Sequence, residues 1–212
     1  MSGRSPRWIP SKLRTRLSDL AIGSTIKLNE DGSPVEFYVA KHDYEPDLNG
    51  NGRTLMVRKD CYDTRYFSSS TNVFRNSAID TWLNNTWLKL LDADVQAVVG
   101  TTTFYVIAGD GSSARQTLTK PVFLLSTAEL NKGPYNDGTE LDQTVYGQLA
   151  IAYYNGAAVT QWTRTPRATS SAQLYVLSAT GGLERASSGD NYGSRPVFTL
   201  PSELLVTNDM LV

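Results

Sequence analysis

The chain changes its hydrophobic period only once, and that change bounds the folds open to it. On either side of residues 77–99, short runs rich in β-branched and aromatic residues alternate with clusters of Gly, Pro, Asn and Asp. Such runs, at residues 24–28, 35–41, 53–59, 102–107, 118–126, 173–178 and 195–200, read as strands bounded by turns. Between them, Ile79, Trp82 and Leu83, then Trp87, Leu90 and Leu91, then Val95, Val98 and Val99 fall at helical spacing. Ser77-Ala-Ile-Asp80 has the form of a capping box, Asp92 is placed to cap a further turn, and Gly100 is a stop signal. The pattern predicts two or three short helices beside an antiparallel sheet, an α+β chain with long loops.

Residues 29–34 and 108–113 read as turns, 45–52 as a Gly-rich loop and 131–170 as a loop-rich stretch. No internal repeat and no interdomain linker is visible, so residues 18–212 are expected to form one domain, long enough to bury its own core.

The formal net charge of −1 conceals a split. Arg4, Arg7, Lys12, Arg14 and Arg16 lie within the first 16 residues with no acid among them, and the remainder is acidic. A globally basic nucleic-acid binder is thereby disfavoured, and a short basic arm on an acidic body is expected. By composition the arm is a solvated tail, while Trp8, Ile9 and Leu13 interleaved with its bases would also suit contact with nucleic acid or an anionic partner. The expectation is that residues 1–17 dock, through Arg4, Arg7, Trp8, Ile9, Lys12, Arg14 and Arg16, and that nucleic acid is not the partner.

Chemistry has little to attach to. Cys61 is the sole cysteine, which excludes an internal disulfide, a Cys-based zinc site and two-cysteine redox chemistry, and a buried structural thiol is its expected role. His42, the sole histidine, precedes Asp43, which could orient its ring; without a nucleophile motif it reads as structural. Asp47-Leu-Asn-Gly-Asn-Gly52 matches the first half of a calcium loop, but Arg58 stands where the bidentate Glu belongs. No phosphate loop, dinucleotide fingerprint or zinc motif occurs, so neither cofactor nor metal is expected. A carbohydrate-active hydrolase with an unrecognised carboxylate pair is the enzymatic alternative, and a bacterial structural or interaction module a third reading. No secretory signal is visible, and the longest apolar run, residues 149–154, is far too short for a bilayer, which needs about 20 residues.

Several segments together carry a resemblance: Gly23-Ser-Thr-Ile26, Thr54-Leu-Met-Val57, Ser77-Ala-Ile-Asp-Thr-Trp-Leu-Asn84 and Val122-Phe-Leu-Leu-Ser126. Trp162-Thr-Arg-Thr-Pro166 and Tyr192-Gly-Ser-Arg-Pro-Val-Phe-Thr-Leu200 close the set. Their order resembles an uncharacterised domain family of gut Firmicutes and their phages, with Thr165 where Ser is more usual. The ending is also similar to C-type-lectin-like domains of the formylglycine-generating-enzyme type, whose oxidase chemistry needs paired cysteines that this chain lacks. The resemblance implies a lectin-like scaffold and a non-enzymatic virion surface protein: a decoration, fibre or tail adhesin. It would be made in a host cytoplasm, assembled in several copies with other virion proteins and turned towards a host-surface glycan or protein.

Trp162 and Arg164 are expected to be structural, the Trp in the core and the Arg anchoring a loop. Ligand contact is expected instead from Tyr135, Asn136, Tyr154, Asn155, Arg167 and Tyr192, because Tyr and Asn combine contact area with adaptable hydrogen bonding. Of Tyr153 and Tyr154, at least one is expected in the core.

Overall fold

The structure, a computed structural model, describes residues 14–212. The chain enters as β1 (Arg14–Arg16) and a single 3-10 turn (Leu17–Asp19), then forms the hairpin β2 (Thr25–Glu30) and β3 (Ser33–Lys41). A one-turn helix α1 (Pro46–Asn49) leads to β4 (Arg53–Arg58) and β5 (Asp63–Tyr66). The helical stretch is α2 (Ala78–Asn85), a 3-10 turn (Trp87–Leu90) and α3 (Ala93–Val98). A long ribbon of β6 (Thr102–Gly109) and β7 (Ser112–Lys120) follows, then β8 (Val122–Phe123) and α4 (Gln143–Ala150). The last part is β9 (Ala152–Tyr154), β10 (Ala157–Val159), β11 (Gln161–Pro166), β12 (Gln173–Leu177) and β13 (Leu183–Ser187). It ends with β14 (Asn191–Ser194), β15 (Val197–Pro201), β16 (Leu205–Thr207) and a 3-10 turn (Asn208–Met210).

The strands make two five-stranded sheets, ordered β2-β3-β4-β15-β8 and β13-β12-β11-β14-β5, plus two-stranded ribbons β1-β16, β6-β7 and β9-β10. Pairing is antiparallel apart from the single β11–β14 register Gln161↔Gly193. Three hairpins turn on Asp31-Gly32, Asp110-Gly111 and Asn155-Gly156, both residues of each pair at positive φ, the geometry whose twist matches the flanking strands.

Ser77 caps α2 as its spacing predicts, its hydroxyl accepting the Asp80 N–H at 3.2 Å. Asp80 turns its carboxylate to the Asn76 N–H and to Lys120, and the Asn84 amide closes onto Asp80 and the Val122 backbone. Asp92 stands at the α3 N-cap without a capping bond, because its carboxylate accepts from Asn29. Trp87 is the anchor of this stretch: its ring packs on Phe37 and Phe198, and its Nε1–H donates to Glu30 at 2.9 Å. Glu30 is itself held bidentately by Arg58, so the one buried carboxylate of this wall is fully partnered. Buried side chains of both sheets and the helices form one contiguous core cluster.

The α+β reading holds, with four corrections. The run 118–126 is not one strand: Pro121 has no N–H to give a ladder, so β7 ends at Lys120 and β8 begins at Val122 in another sheet. The loop expected at 45–52 contains α1, nucleated by Pro46 at its first turn. The loop-rich stretch 131–170 contains α4, β9, β10 and β11; Asp142 caps α4 by accepting the Thr144 N–H at 2.8 Å. The architecture also has two large sheets where one was expected, since β5, β13 and β14 are short, polar strands with little apolar alternation.

Of the basic arm, Arg4, Arg7, Trp8, Ile9 and Lys12 lie outside the described residues. Arg14 and Arg16 are exposed on β1, which pairs with β16, and Leu17 is fully buried. Residues 14–17 are thus laid onto the body rather than standing off from it.

Candidate functional site

All six residues of β11 are buried, and the strand places Arg164 at the centre of the molecule with no side-chain exposure. All five guanidinium N–H groups have acceptors. Nε donates to the Tyr105 carbonyl (3.0 Å), Nη1 to the Leu124 carbonyl (2.6 Å) and Glu129 Oε2 (2.8 Å), and Nη2 to Glu129 Oε1 (3.0 Å) and the Asp137 carbonyl (2.8 Å). The Phe104 and Phe123 rings, stacked 4.3 Å apart, lie beneath the cation. Glu129 accepts in addition from the Tyr44 hydroxyl and the Ser126 N–H, so both of its oxygens are saturated. Burial would lower the Arg164 pKa, but Glu129, with Tyr44 and Asp137, more than reverses this and raises it. Burial and the neighbouring Glu129 charge hold the Tyr44 hydroxyl well above its ordinary pKa, so it stays a donor.

This pair organises the segment from Ser126 to Asp142. Ser126 and Glu129 exchange the reciprocal bonds of a capping box (Glu129 N–H to Ser126 Oγ, 3.2 Å), but the chain closes into a turn, because the Glu129 carboxylate is held inward by Arg164. Thr165 accepts the Thr127 N–H and donates to Asp137 at 2.6 Å, a role that a serine hydroxyl fills equally. Glu45 accepts from the Thr139 N–H (2.7 Å) and hydroxyl (2.9 Å), and the Glu129 carbonyl accepts the Leu141 N–H. Burial pushes the Asp137 carboxyl pKa up, against the pull of Arg164 and Thr165.

On its outer side the segment forms a polar cleft of about 390 Å³, lined by Asn131, Lys132, Tyr135, Asn136, Thr139 and Glu140 among others. A second depression of about 480 Å³ adjoins it at Glu140 and is bounded by Lys41, His42 and Asp142. Two of the sequence candidates, Tyr135 and Asn136, line the cleft. Arg167 lies nearby, since the Tyr135 hydroxyl accepts the Ala168 N–H at 3.0 Å, and its guanidinium holds Gln173. Tyr135 also packs edge-on against Tyr175. Tyr154 and Asn155 stand apart on the β9–β10 hairpin, where Asn155 supplies a positive φ to the turn. Tyr192 lies on β14, its ring edge-on to Trp162. Of the six candidates, only Tyr135 and Asn136 line the cleft. Neither Tyr153 nor Tyr154 is in the core: Tyr153 is exposed and Tyr154 half-buried, because the apolar run 149–154 is split between α4 and an edge ribbon.

Trp162 is buried against Phe67, its Nε1–H donating to the Arg65 carbonyl, and Arg164 anchors the 126–142 segment, both as expected. Arg195 is likewise buried, donating to the carbonyls of Arg58, Lys59 and Leu149. His42 bonds Thr54 (2.9 Å) and the Leu20 carbonyl (3.0 Å), while Asp43 accepts the Gly52 N–H rather than orienting the ring. In the calcium-like loop the Asn49 side chain is held by the backbone of Tyr44, Glu45 and Thr103. Among the described residues no cluster of three or more His, Cys, Asp or Glu is placed to hold a metal, and no helix is long and apolar enough to cross a membrane.

A family model described as a domain of unknown function, DUF6273, matches residues 51–202, more than half of the chain. The chain belongs to the DUF6273 family. The matched region runs from β4 to β15, so it contains α2, the Arg164–Glu129 pair and the 126–142 segment, and begins after the β2–β3 hairpin. No curated protein and no solved structure matches the chain.

Two outcomes test this account of the DUF6273 site. Glu129→Gln, or Arg164→Met, each strands a buried partner and should cost about 3–5 kcal/mol in chemical denaturation. The double variant should cost clearly less than the sum; an additive double would mean that the two side chains act separately. Cys61 is buried against Gly193, and burial, only partly offset by Arg195 and Arg58, pushes its pKa up to about 11. Since the thiolate is the reactive form, native protein at pH 8 should resist alkylation and label readily once unfolded; fast native labelling would contradict its placement.

Proposed function

We propose that this chain is a non-catalytic binding protein of a virion surface, with a lectin-like body that presents the 126–142 cleft to a host-surface glycan. The observation that carries the reading is the pairing of a polar, solvent-facing cleft with a fully bonded ionic anchor directly beneath it. A shallow sugar site needs hydrogen-bonding side chains and an aromatic surface at fixed positions, because ordering a loose loop on binding would cost affinity. Tyr135, Asn136, Lys132 and Thr139 supply those groups.

The absence of chemistry in the reading follows from where the acids are engaged. Of the buried carboxylates, Glu30, Glu45, Asp80 and Glu129 are each occupied by Arg, Lys, Trp, Tyr or Thr donors, while Asp137 is held by Thr165 through one oxygen and has its other oxygen buried without a partner. A general acid would instead need a carboxyl facing the ligand. The virion setting rests on the motif resemblance and on the basic N-terminal residues, which suit docking to neighbouring virion proteins.

Purified full-length chain should be retained on wall polysaccharide from Gram-positive gut bacteria and release no soluble sugar. Tyr135→Ala with Asn136→Ala should weaken retention by about tenfold or more, as expected for loss of contacts worth about 1.4 kcal/mol or more. Sugar release would establish the hydrolase instead, and unchanged retention in the double variant would remove the cleft from the binding role.

A further inference from the structure

The polar cleft does not stop at Glu140. Thr139 and Glu140 line it, and Glu140, Leu141 and Asp142 line the second depression, so residues 139–142 form one continuous strip along both. The strip is tied down from two sides. The Leu141 N–H donates to the Glu129 carbonyl at 2.9 Å, and Lys41, at the end of β3, donates from Nζ to the Glu140 carbonyl at 3.2 Å.

The second depression has the chemistry of a sugar subsite. Ile22, Ala40 and Leu141 give it apolar surface, and Lys41, Glu140 and Asp142 set charged groups around that surface. Their bonding capacity is only partly used. An ammonium has three N–H donors, and among the described residues Lys41 commits one of them. Asp142 takes both Thr144 donors on Oδ1, which leaves Oδ2 open, and the Glu140 carboxylate has no partner among the described residues. His42 contributes shape alone, because both of its ring nitrogens are engaged, by Thr54 and the Leu20 carbonyl. A pyranose ring presents an apolar C–H face and an edge of hydroxyls, which apolar surface ringed by a few placed polar groups matches.

We infer that the two depressions are adjacent subsites of one groove, and that its ligand is a glycan chain of several sugar units laid along residues 139–142, with Lys41 as the contact residue of the second subsite. The inference rests on the glycan reading and narrows it from a single terminal sugar to a polymer. A unit entering the second subsite loses little further translational and rotational freedom once its neighbour is held, so contacts too weak to hold one sugar can hold a chain.

The test uses wall polysaccharide from Gram-positive gut bacteria, cut by mild acid and sorted by size into monosaccharides and chains of several units. Each fraction is titrated into the full chain and followed by NMR. The chains should bind about tenfold tighter than the monosaccharides, or more, a gain of about 1.4 kcal/mol. Lys41→Ala should remove most of that gain and leave monosaccharide binding unchanged, and Lys41→Arg, which keeps a donor there, should retain it. A substitution that merely loosened the strip would weaken monosaccharides as well, because Thr139 and Glu140 line the first subsite. Equal affinity for both sizes, a gain that survives Lys41→Ala, or a parallel loss for both sizes would overturn the extended groove while leaving the cleft as a glycan site. If no fragment of any size binds, the glycan reading itself falls, and the groove with it.

Discussion

The Arg164–Glu129 ion pair is the interaction on which the rest of the upper half of the molecule depends. Two opposite charges with no side-chain exposure are tolerable only when every donor and acceptor is met, because the desolvation of either ion costs several kcal/mol. Here the condition is met by recruiting the backbone. The carbonyls of Tyr105, Leu124 and Asp137 complete the guanidinium, and the Ser126 N–H and the Tyr44 hydroxyl complete the carboxylate. The recruited groups come from the loop after β3, from β6, from the residue after β8 and twice from the 126–142 segment, so all four are fixed to β11 at one point. Satisfying a charge and positioning a loop are the same event.

The same device recurs with a different partner set. Among the described residues Arg195 bonds to no carboxylate; it donates to the carbonyls of Arg58, Lys59 and Leu149 and to the Gln161 side chain, and burial lowers its pKa. Glu30 is shared between Arg58 and Trp87. The closing motifs around Trp162 and Tyr192 therefore describe a scaffold: Trp162, Arg164 and Arg195 all point into the protein. A binding surface on such a scaffold lies in the segments that these residues hold.

How far the sequence foretold this differs from element to element. Capping of α2 by Ser77, the β2–β3 hairpin on Asp31-Gly32 and the structural roles of Trp162, Arg164, His42 and Cys61 were legible, because each rests on local chemistry or on a residue type with few alternatives. What was not legible was non-local. Ser126-Thr-Ala-Glu129 carries a helix-start signal, and only the arrival of Arg164 from 35 residues away turns it into a turn. Glu45, Asp137 and Thr139 gave no signal, since an isolated acid or hydroxyl reads the same whether it faces water or holds a loop. Strands β5, β13 and β14 escaped for a related reason. All three are short and largely polar, and β5 and β14 pair with each other from opposite parts of the chain, although β13 is the sequence neighbour of its partner β12. The ligand candidates drawn from Tyr and Asn content did not converge on one cleft, because composition carries no information about which loops meet.

If the buried pair sets the order of the 126–142 segment, its loss must be felt there before it is felt elsewhere. Amide hydrogen exchange, followed residue by residue in the native state of Glu129→Gln and of the unaltered chain, reads this directly. The account predicts a selective loss of protection from Thr127 to Leu141, with the β2–β3–β4 ladder nearly unchanged. Equal protection of that segment in both proteins, or a uniform loss across all sheets, would contradict it.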